Sequence, residues 1–203
     1  MDETTTALAA LIGTRVRQER TGRGWTLDRL AEVAGVSRRM LVNVEQGAAN
    51  PSVGTLLRIS DALGIGLPAL VEPPAVAAVR VTRRGEGSVL WRGDAGGQGV
   101  LVAGTRSPDV LELWEWSLGV DDRHASEEHA RGTKEVLQVQ EGRIEVTVGD
   151  EQFLLETGDS IAFPGDVAHA YANAGTFRAR FALAVYEPDV GVSESGGNRG
   201  TQR

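Results

Sequence analysis

The sequence predicts a multidomain chain, helical in its first part and all-β in its second, on three observations. At 203 residues it exceeds the common domain of about 100 to 150 residues but is short for three domains. From Ala7 to Leu70 apolar residues return at helical spacing, as in Leu8, Ile12 and Val16 and again in Leu27, Leu30, Ala31 and Ala34. Beyond Pro73-Pro74 the texture changes to short β-rich runs, VLELWEWSL, EVLQVQ, RIEVTV and FRARFALAVY, cut by turns such as Glu141-Gly142 and Thr157-Gly158-Asp159. The boundaries that follow are a helical domain over 1–72, a linker with leading strands over 73–99, a β-domain over 100–187 and a disordered tail over 188–203. Within the second of these, Val79 to Thr82 and Ser88 to Trp91 have strand character.

Composition narrows the chemistry. Without cysteine there are no disulfides, thiolate zinc sites, thiol nucleophiles or iron-sulfur clusters, so His, Asp and Glu are the ordinary metal ligands left. There is no run of about 18 apolar residues, and the start, MDETTTALAA, lacks the basic and apolar regions of a signal peptide. The expectation is a soluble, cytoplasmic protein with no membrane partner. The net charge of −7 argues at first against nucleic acid. It is unevenly placed, however: residues 1–71 hold eight Arg against seven Asp or Glu, so the remainder carries −8. Seven of those eight Arg fall between Arg15 and Arg39, enough for one basic face.

Helix signals follow one another closely in the first half. The first helix runs to about Gly22. Thr26 can N-cap a second, TLDRLAEVAG, that ends at Gly35, and Ser37 a third, SRRMLVNVEQG, that ends at Gly47. Ser52 opens a fourth, SVGTLLRISDALG. The turn Gly35-Val36 between the second and third is short enough for a helix-turn-helix, with Gly supplying the left-handed backbone and Val36 filling the angle.

Over residues 8 to 71, Leu30-Ala31, Gly35-Val36-Ser37, Glu45, Gly47, Asn50-Pro51 and Ala62-Leu63-Gly64 together resemble the phage-repressor-like (XRE) helix-turn-helix family. That resemblance implies a five-helix, lambda-repressor-like DNA-binding domain. In the third helix Leu41 and Val44 share the core face, leaving Arg38, Arg39 and Asn43 to other faces. The resemblance places these three over base edges in the major groove, where Arg suits guanine and Asn adenine. Thr26, Ser37, Gln46 and Asn50 become the expected phosphate contacts. Arg20 and Glu45 stand where the family often has a buried ion pair.

The second half carries His129-Ala-Arg131-Gly-Thr-Lys-Glu135, six residues, then Gly142, and later Gly158, five residues, Pro164, His169 and Asn173. These stretches, within residues 100 to 186, resemble the paired motifs of the cupin superfamily and imply a double-stranded β-helix barrel. Metal-binding cupins usually supply three His and one Glu. Here the second His position is Arg131, whose guanidinium has no lone pair to give. Arg131 is expected beside Glu135 inside the barrel, opposing metal. The reading is a metal-free cup, lined by His129, Arg131, Glu135, His169 and Tyr171, that suits a small organic anion. If a divalent transition metal is held at all, His129, Glu135 and His169 are its ligands.

Strand alternation puts Glu135, Leu137 and Val139 on one face, with Ile144, Val146 and Val148, His169 and Tyr171, and Trp114 and Trp116 forming further rows. His124, outside both motifs, is expected at the surface. The chain is thus expected to be a non-enzymatic transcription regulator, a homodimer on operator DNA whose cupin domain binds an effector or mediates dimerisation. The alternative is a metal-dependent cupin dioxygenase or isomerase fused to a DNA-binding module.

Overall fold

A computed structural model describes residues 3–49, 51–72 and 79–191. Asn50 and residues 192–203 lie outside the described residues. The first half forms α1 (Glu3–Gly22), α2 (Leu27–Val33), α3 (Arg38–Glu45), α4 (Val53–Leu63) and α5 (Gly66–Val71). Each expected cap is made: Thr26 Oγ1 accepts from the Arg29 N–H at 3.1 Å, Ser37 Oγ from Met40 at 3.1 Å and Ser52 Oγ from Thr55 at 3.2 Å. Gly35, at φ +61°, turns the chain from α2 toward α3.

Ile12, Val16, Leu30, Leu41, Val44, Leu56, Ile59 and Leu63 bury the helical core. Two contacts fix α3 against α1. A Cβ added to Gly13 would come within 2.3 Å of the Val44 carbonyl oxygen, so only Gly permits this approach. About two helical turns further on, Arg20 forks onto Glu45, Nε to Oε1 at 2.6 Å and Nη2 to Oε2 at 2.9 Å, while Nη1 donates to the Trp25 carbonyl at 2.7 Å. Such bidentate geometry is the strong form of an ion pair.

Ten strands follow: β1 (Ser88–Arg92), β2 (Gln98–Gly104), β3 (Val110–Leu118), β4 (Arg123–Ser126), β5 (Lys134–Glu141), β6 (Arg143–Val148), β7 (Glu151–Glu156), β8 (Ser160–Pro164), β9 (His169–Asn173) and β10 (Ala179–Glu187). They form a six-stranded sheet, β1-β2-β3-β10-β5-β8, and a four-stranded one, β4-β9-β6-β7, with every pairing antiparallel. Both sheets turn alternate residues inward, which gives the barrel its core: Trp114, Trp116, Leu137, Val139, Ile144, Val146, Tyr171 and Phe181 are all buried. Val79 to Thr82, read from sequence as strand-like, forms no strand; its Val79 and Val81 are exposed.

Two polar clamps hold the barrel's loops. Asp122 accepts N–H bonds from Ala95 at 2.8 Å, Gly97 at 2.8 Å and Gly119 at 2.7 Å; burial pushes its carboxyl up, but these three donors outweigh that and hold it low. Asn173 Nδ2 donates to the carbonyls of Leu118, Gly119 and Phe177, which explains an Asn at the end of the second motif.

The helical domain rests on the barrel. α4 lays Val53 and Leu57 over the open end of the cup, and Arg58 pairs with Glu127 of the loop after β4. α5 packs on β2, where Pro68 covers Gly104. Residues 188–191, which the sequence places in the tail, form a turn in which Val190 is buried and donates its N–H to the Pro108 carbonyl at 2.7 Å. There Gly191 lies backbone to backbone against Gly64, whose φ of +62° already requires glycine.

Glu45→Ala should destabilise the helical domain by about 3 kcal/mol, because it strands the largely buried Arg20 guanidinium. Chemical unfolding followed by circular dichroism measures this, and a loss under about 1 kcal/mol would show the pair to be ornamental.

Candidate functional site

On the helical domain the residues expected to meet DNA gather around α2 and α3. Thr26 and Ser37 are exposed at the two N-termini. Each hydroxyl accepts a capping N–H yet keeps its own proton to donate. Arg38 and Arg39 are exposed in the first turn of α3, Asn43 is half-buried one turn on, and Gln46 is exposed at the C-cap. Arg38 pairs with Asp28 at 2.9 Å, but at 61% and 75% exposure the two side chains hold each other weakly. Among the described residues Arg39 enters no ion pair. Met40, which the sequence reading passes over, is also exposed on this helix.

Inside the barrel, cross-strand register builds the second cluster. β9 sets Ser126, His169 and Val148 in one row and His124, Tyr171 and Val146 in the next. β5 brings Glu135 alongside Phe163 and Val185. His129 Nε2 lies 3.1 Å and His169 Nε2 3.2 Å from Glu135 Oε1, and the Tyr171 hydroxyl donates to Glu135 Oε2. His169 Nδ1 donates to the Val167 carbonyl at 2.7 Å, which turns Nε2 inward toward Glu135. Burial alone would raise the Glu135 carboxyl, but the two imidazoles overcome it and hold it at about 2.

Arg131 is not in this cluster. It is exposed on the loop between β4 and β5, and His129, His169 and Tyr171 occupy the approach to Glu135 instead. The expected Arg131–Glu135 pair, the anion held by Arg131 and the charge opposing a metal are therefore corrected: the loop between β4 and β5 turns the guanidinium to solvent, where its hydration is kept. With that cation removed, the ligand atoms of His129, Glu135 and His169 lie within 4.8 Å of one another, a two-histidine, one-carboxylate donor set. Such a set fits a divalent transition metal, which would keep open positions there and supply Lewis-acid chemistry.

The free space around these groups is about 30 Å³, room for an ion and a water but not for an organic effector. Aromatic rings fill the rest. Trp116 stacks on Phe181 with centroids 5.9 Å apart and meets His124 at a tilt with centroids 4.7 Å apart, and Trp114 lies 5.9 Å from Trp116. His124, expected at the surface, is thus a half-buried cup residue, because the short strand β4 turns it inward opposite Tyr171. Burial drops its imidazole to about 4, so it is neutral near pH 7.

Three further carboxylates stand at the mouth beneath α4. Glu112 and Glu187 are each 1% exposed, and Glu112 Oε1, Glu187 Oε2 and Asp61 Oδ1 are buried with no hydrogen-bond partner. Burial raises all three, Asp61 to about 6 and Glu187 to about 8; repulsion from Asp61 adds to the rise of Glu112 and Glu187, and repulsion from Glu187 to that of Glu112. Alternation could have shown two of them, since Glu112 is in phase with Trp114 and Trp116, and Glu187 with Leu183 and Val185.

A barrel of this kind under a helix-turn-helix defines a two-module protein. Residues 16–70 match the family model described as Helix-turn-helix (HTH_3), and residues 115–186 that described as Cupin domain (Cupin_2). The chain thus carries a helix-turn-helix domain followed by a C-terminal cupin domain. It is similar to the HTH-type transcriptional regulator SutR of Escherichia coli strain K12, 29% identical over 184 residues that cover 89% of this chain and 97% of SutR. Its helical part is similar to the HTH-type transcriptional regulator SinR of Bacillus subtilis strain 168, 35% identical over 63 residues, 30% of this chain and 57% of SinR. Among solved structures it is similar to an HTH_3 family transcriptional regulator from Vibrio cholerae, with a TM-score of 0.72 at 26% identity, over 91% of this chain and 99% of that one.

A buried acid with a raised pKa keeps its proton longer in the folded than in the unfolded chain, so its share of stability falls as pH rises from about 4.5 to about 8. Glu187→Gln should remove that slope, adding about 3 kcal/mol at pH 8 and little at pH 4.5. Denaturant midpoints of both proteins across this range measure it; parallel curves would refute the buried charge.

Proposed function

We propose that the protein is a sequence-specific DNA-binding transcription regulator that acts as a homodimer. The observation that carries this is the exposed first turn of α3, where Arg38 and Arg39 stand clear of the core beside Asn43, on a helix locked to α1 by Gly13 and by the Arg20–Glu45 fork. A rigid helix presenting two guanidiniums and an amide is what direct readout in the major groove requires. Thr26, Ser37 and Gln46 flank it as phosphate donors, and Asn50 is assigned the same role from sequence.

Two half-sites about 34 to 36 Å apart need two copies. The outer face of the six-stranded sheet supplies a surface for pairing. Leu111, Leu113, Val136 and Tyr186 are exposed there on three adjacent strands, with Leu111 opposite Tyr186 and Ala184 between Leu113 and Val136. A contiguous apolar row on an outer sheet face is suited to a second copy of the same chain.

The His129–Glu135–His169 donor set favours a second reading, a metal-dependent cupin enzyme fused to a DNA-binding module. Elemental analysis together with a turnover assay separates the two. Under the regulator reading the purified protein turns over no substrate with or without metal. One tightly held metal per chain, lost in His169→Ala together with a dioxygenase or isomerase activity, would establish the enzyme.

In mobility shifts on an operator selected from random duplexes, Arg39→Ala and Asn43→Ala should each cost about 1 to 3 kcal/mol of specific binding without unfolding. Gln46→Ala should weaken operator and scrambled duplex alike. Unchanged discrimination in Arg39→Ala would reject the assignment of α3.

Sedimentation of the wild-type chain at micromolar concentration should give a dimer, and Leu113→Arg a monomer, by charging the apolar row. A wild-type monomer both free and on DNA would reject the homodimer.

A further inference from the structure

The outward face of α3 carries one residue that its neighbours do not explain. Leu41 and Val44 are buried, so Arg39, Val42, Asn43 and Gln46, spaced i, i+3, i+4 and i+7, form the stripe turned away from the core. Among the described residues, the side chains of Arg39, Asn43 and Gln46 make no hydrogen bond or ion pair within the chain. Val42 is half-buried, yet it belongs neither to the hydrophobic core nor to the side chains packed against it. A valine at an outward position weakens a helix, because its branched Cβ is confined to one rotamer by the preceding turn. At Val16 and Val44 burial in the core offsets that loss; at Val42 it does not.

We propose that Val42 reads a thymine methyl in the operator, and so sets the sequence preference of α3 together with Arg39 and Asn43. The inference rests on the regulator reading above and deepens it. Base edges in the major groove present hydrogen-bond acceptors, hydrogen-bond donors and one apolar group, the C5 methyl of thymine. The Arg39 guanidinium and the Asn43 amide suit the polar edges of guanine and adenine. Val42 has no such group to offer. Pressed against the cytosine amine or the guanine carbonyl, it would leave a buried donor or acceptor unpaired. Against a methyl it strands nothing and removes apolar surface from water.

Position selects Val42 over the other apolar residue exposed on this helix. Met40 stands four residues before the buried Val44 and so lies toward the core side of α3. Val42 stands three residues after Arg39 and four before Gln46, on the face that both share. Its two methyl groups are fixed in direction by the branched Cβ, so little side-chain freedom is lost on contact. The helix behind it is fixed as well, by the Gly13 approach to Val44 and by the Arg20–Glu45 fork. A gap left by a missing methyl is therefore not closed by a shift of α3.

The test uses the full-length protein and an operator selected from random duplexes, in which each thymine is replaced in turn by deoxyuridine. Uracil keeps the base pair and the O4 acceptor and lacks only the methyl. At one thymine in each half-site the exchange should weaken wild-type binding about four-fold, the worth of one buried methyl group. In Val42→Ala, with circular dichroism unchanged, the same exchange should cost less than about two-fold. Met40→Ala should keep the full penalty. An operator on which no thymine methyl matters would overturn the proposal on the wild type alone, so the test stands even if Val42→Ala folds poorly. A penalty that survives in Val42→Ala, or one that vanishes in Met40→Ala, would also overturn it. The selection itself judges the regulator reading. A protein that enriches no operator rejects that reading and this inference with it, whereas specific binding indifferent to every thymine methyl overturns this inference alone.

Discussion

The seating of α4 on the mouth of the barrel is the contact on which the rest of the molecule depends. Val53 and Leu57 close the cup from above, and without them its aromatic floor and the His129–Glu135–His169 cluster would face water. The same helix belongs to the helical core through Leu56, Ile59 and Leu63. One element is therefore shared by two cores. That arrangement makes the environment inside the barrel and the placement of the recognition helix parts of one energetic unit.

The seat is not fully comfortable. Asp61 descends from α4 toward Glu112 and Glu187, and three buried carboxylate oxygens there lack a partner. A purely apolar lid would be more stable. As pH rises through about 8 and these acids ionise, like charges are set across the domain boundary and oppose its closure, so the apolar contact of Val53 and Leu57 then works against a repulsion. Groups that shift such a balance by small amounts can shift populations by large ones, which is the condition a switch requires.

Much of this was legible in the sequence. The helices, their Thr26, Ser37 and Ser52 caps and the Gly35 turn follow from local rules, because a helix caps and turns on residues close in sequence, whereas the Arg20–Glu45 fork, 25 residues apart, was implied only by the family resemblance. Period-two alternation put His169 with Tyr171 and Trp114 with Trp116 on shared faces, and the cupin resemblance placed Glu135, His169 and Tyr171 in the cup. The failures have a common cause. Arg131 was assigned inward by motif register, yet it lies in a loop, where no periodicity governs direction. His124 was assigned outward because β4 is only four residues long and offers too few positions for a pattern.

The backbone approach of Gly64 to Gly191 has a mechanical meaning. A domain joined to its neighbour by a connecting segment alone can swing freely, like a flag on a rope. Here the chain leaves the helical domain after α5, builds the whole barrel, and returns its final turn to lie against the end of α4. The helical domain is thus held twice, by the chain that leaves it after α5 and by the turn that returns to Gly64, so α4 cannot move off the barrel without breaking the Gly64–Gly191 approach or carrying that turn with it.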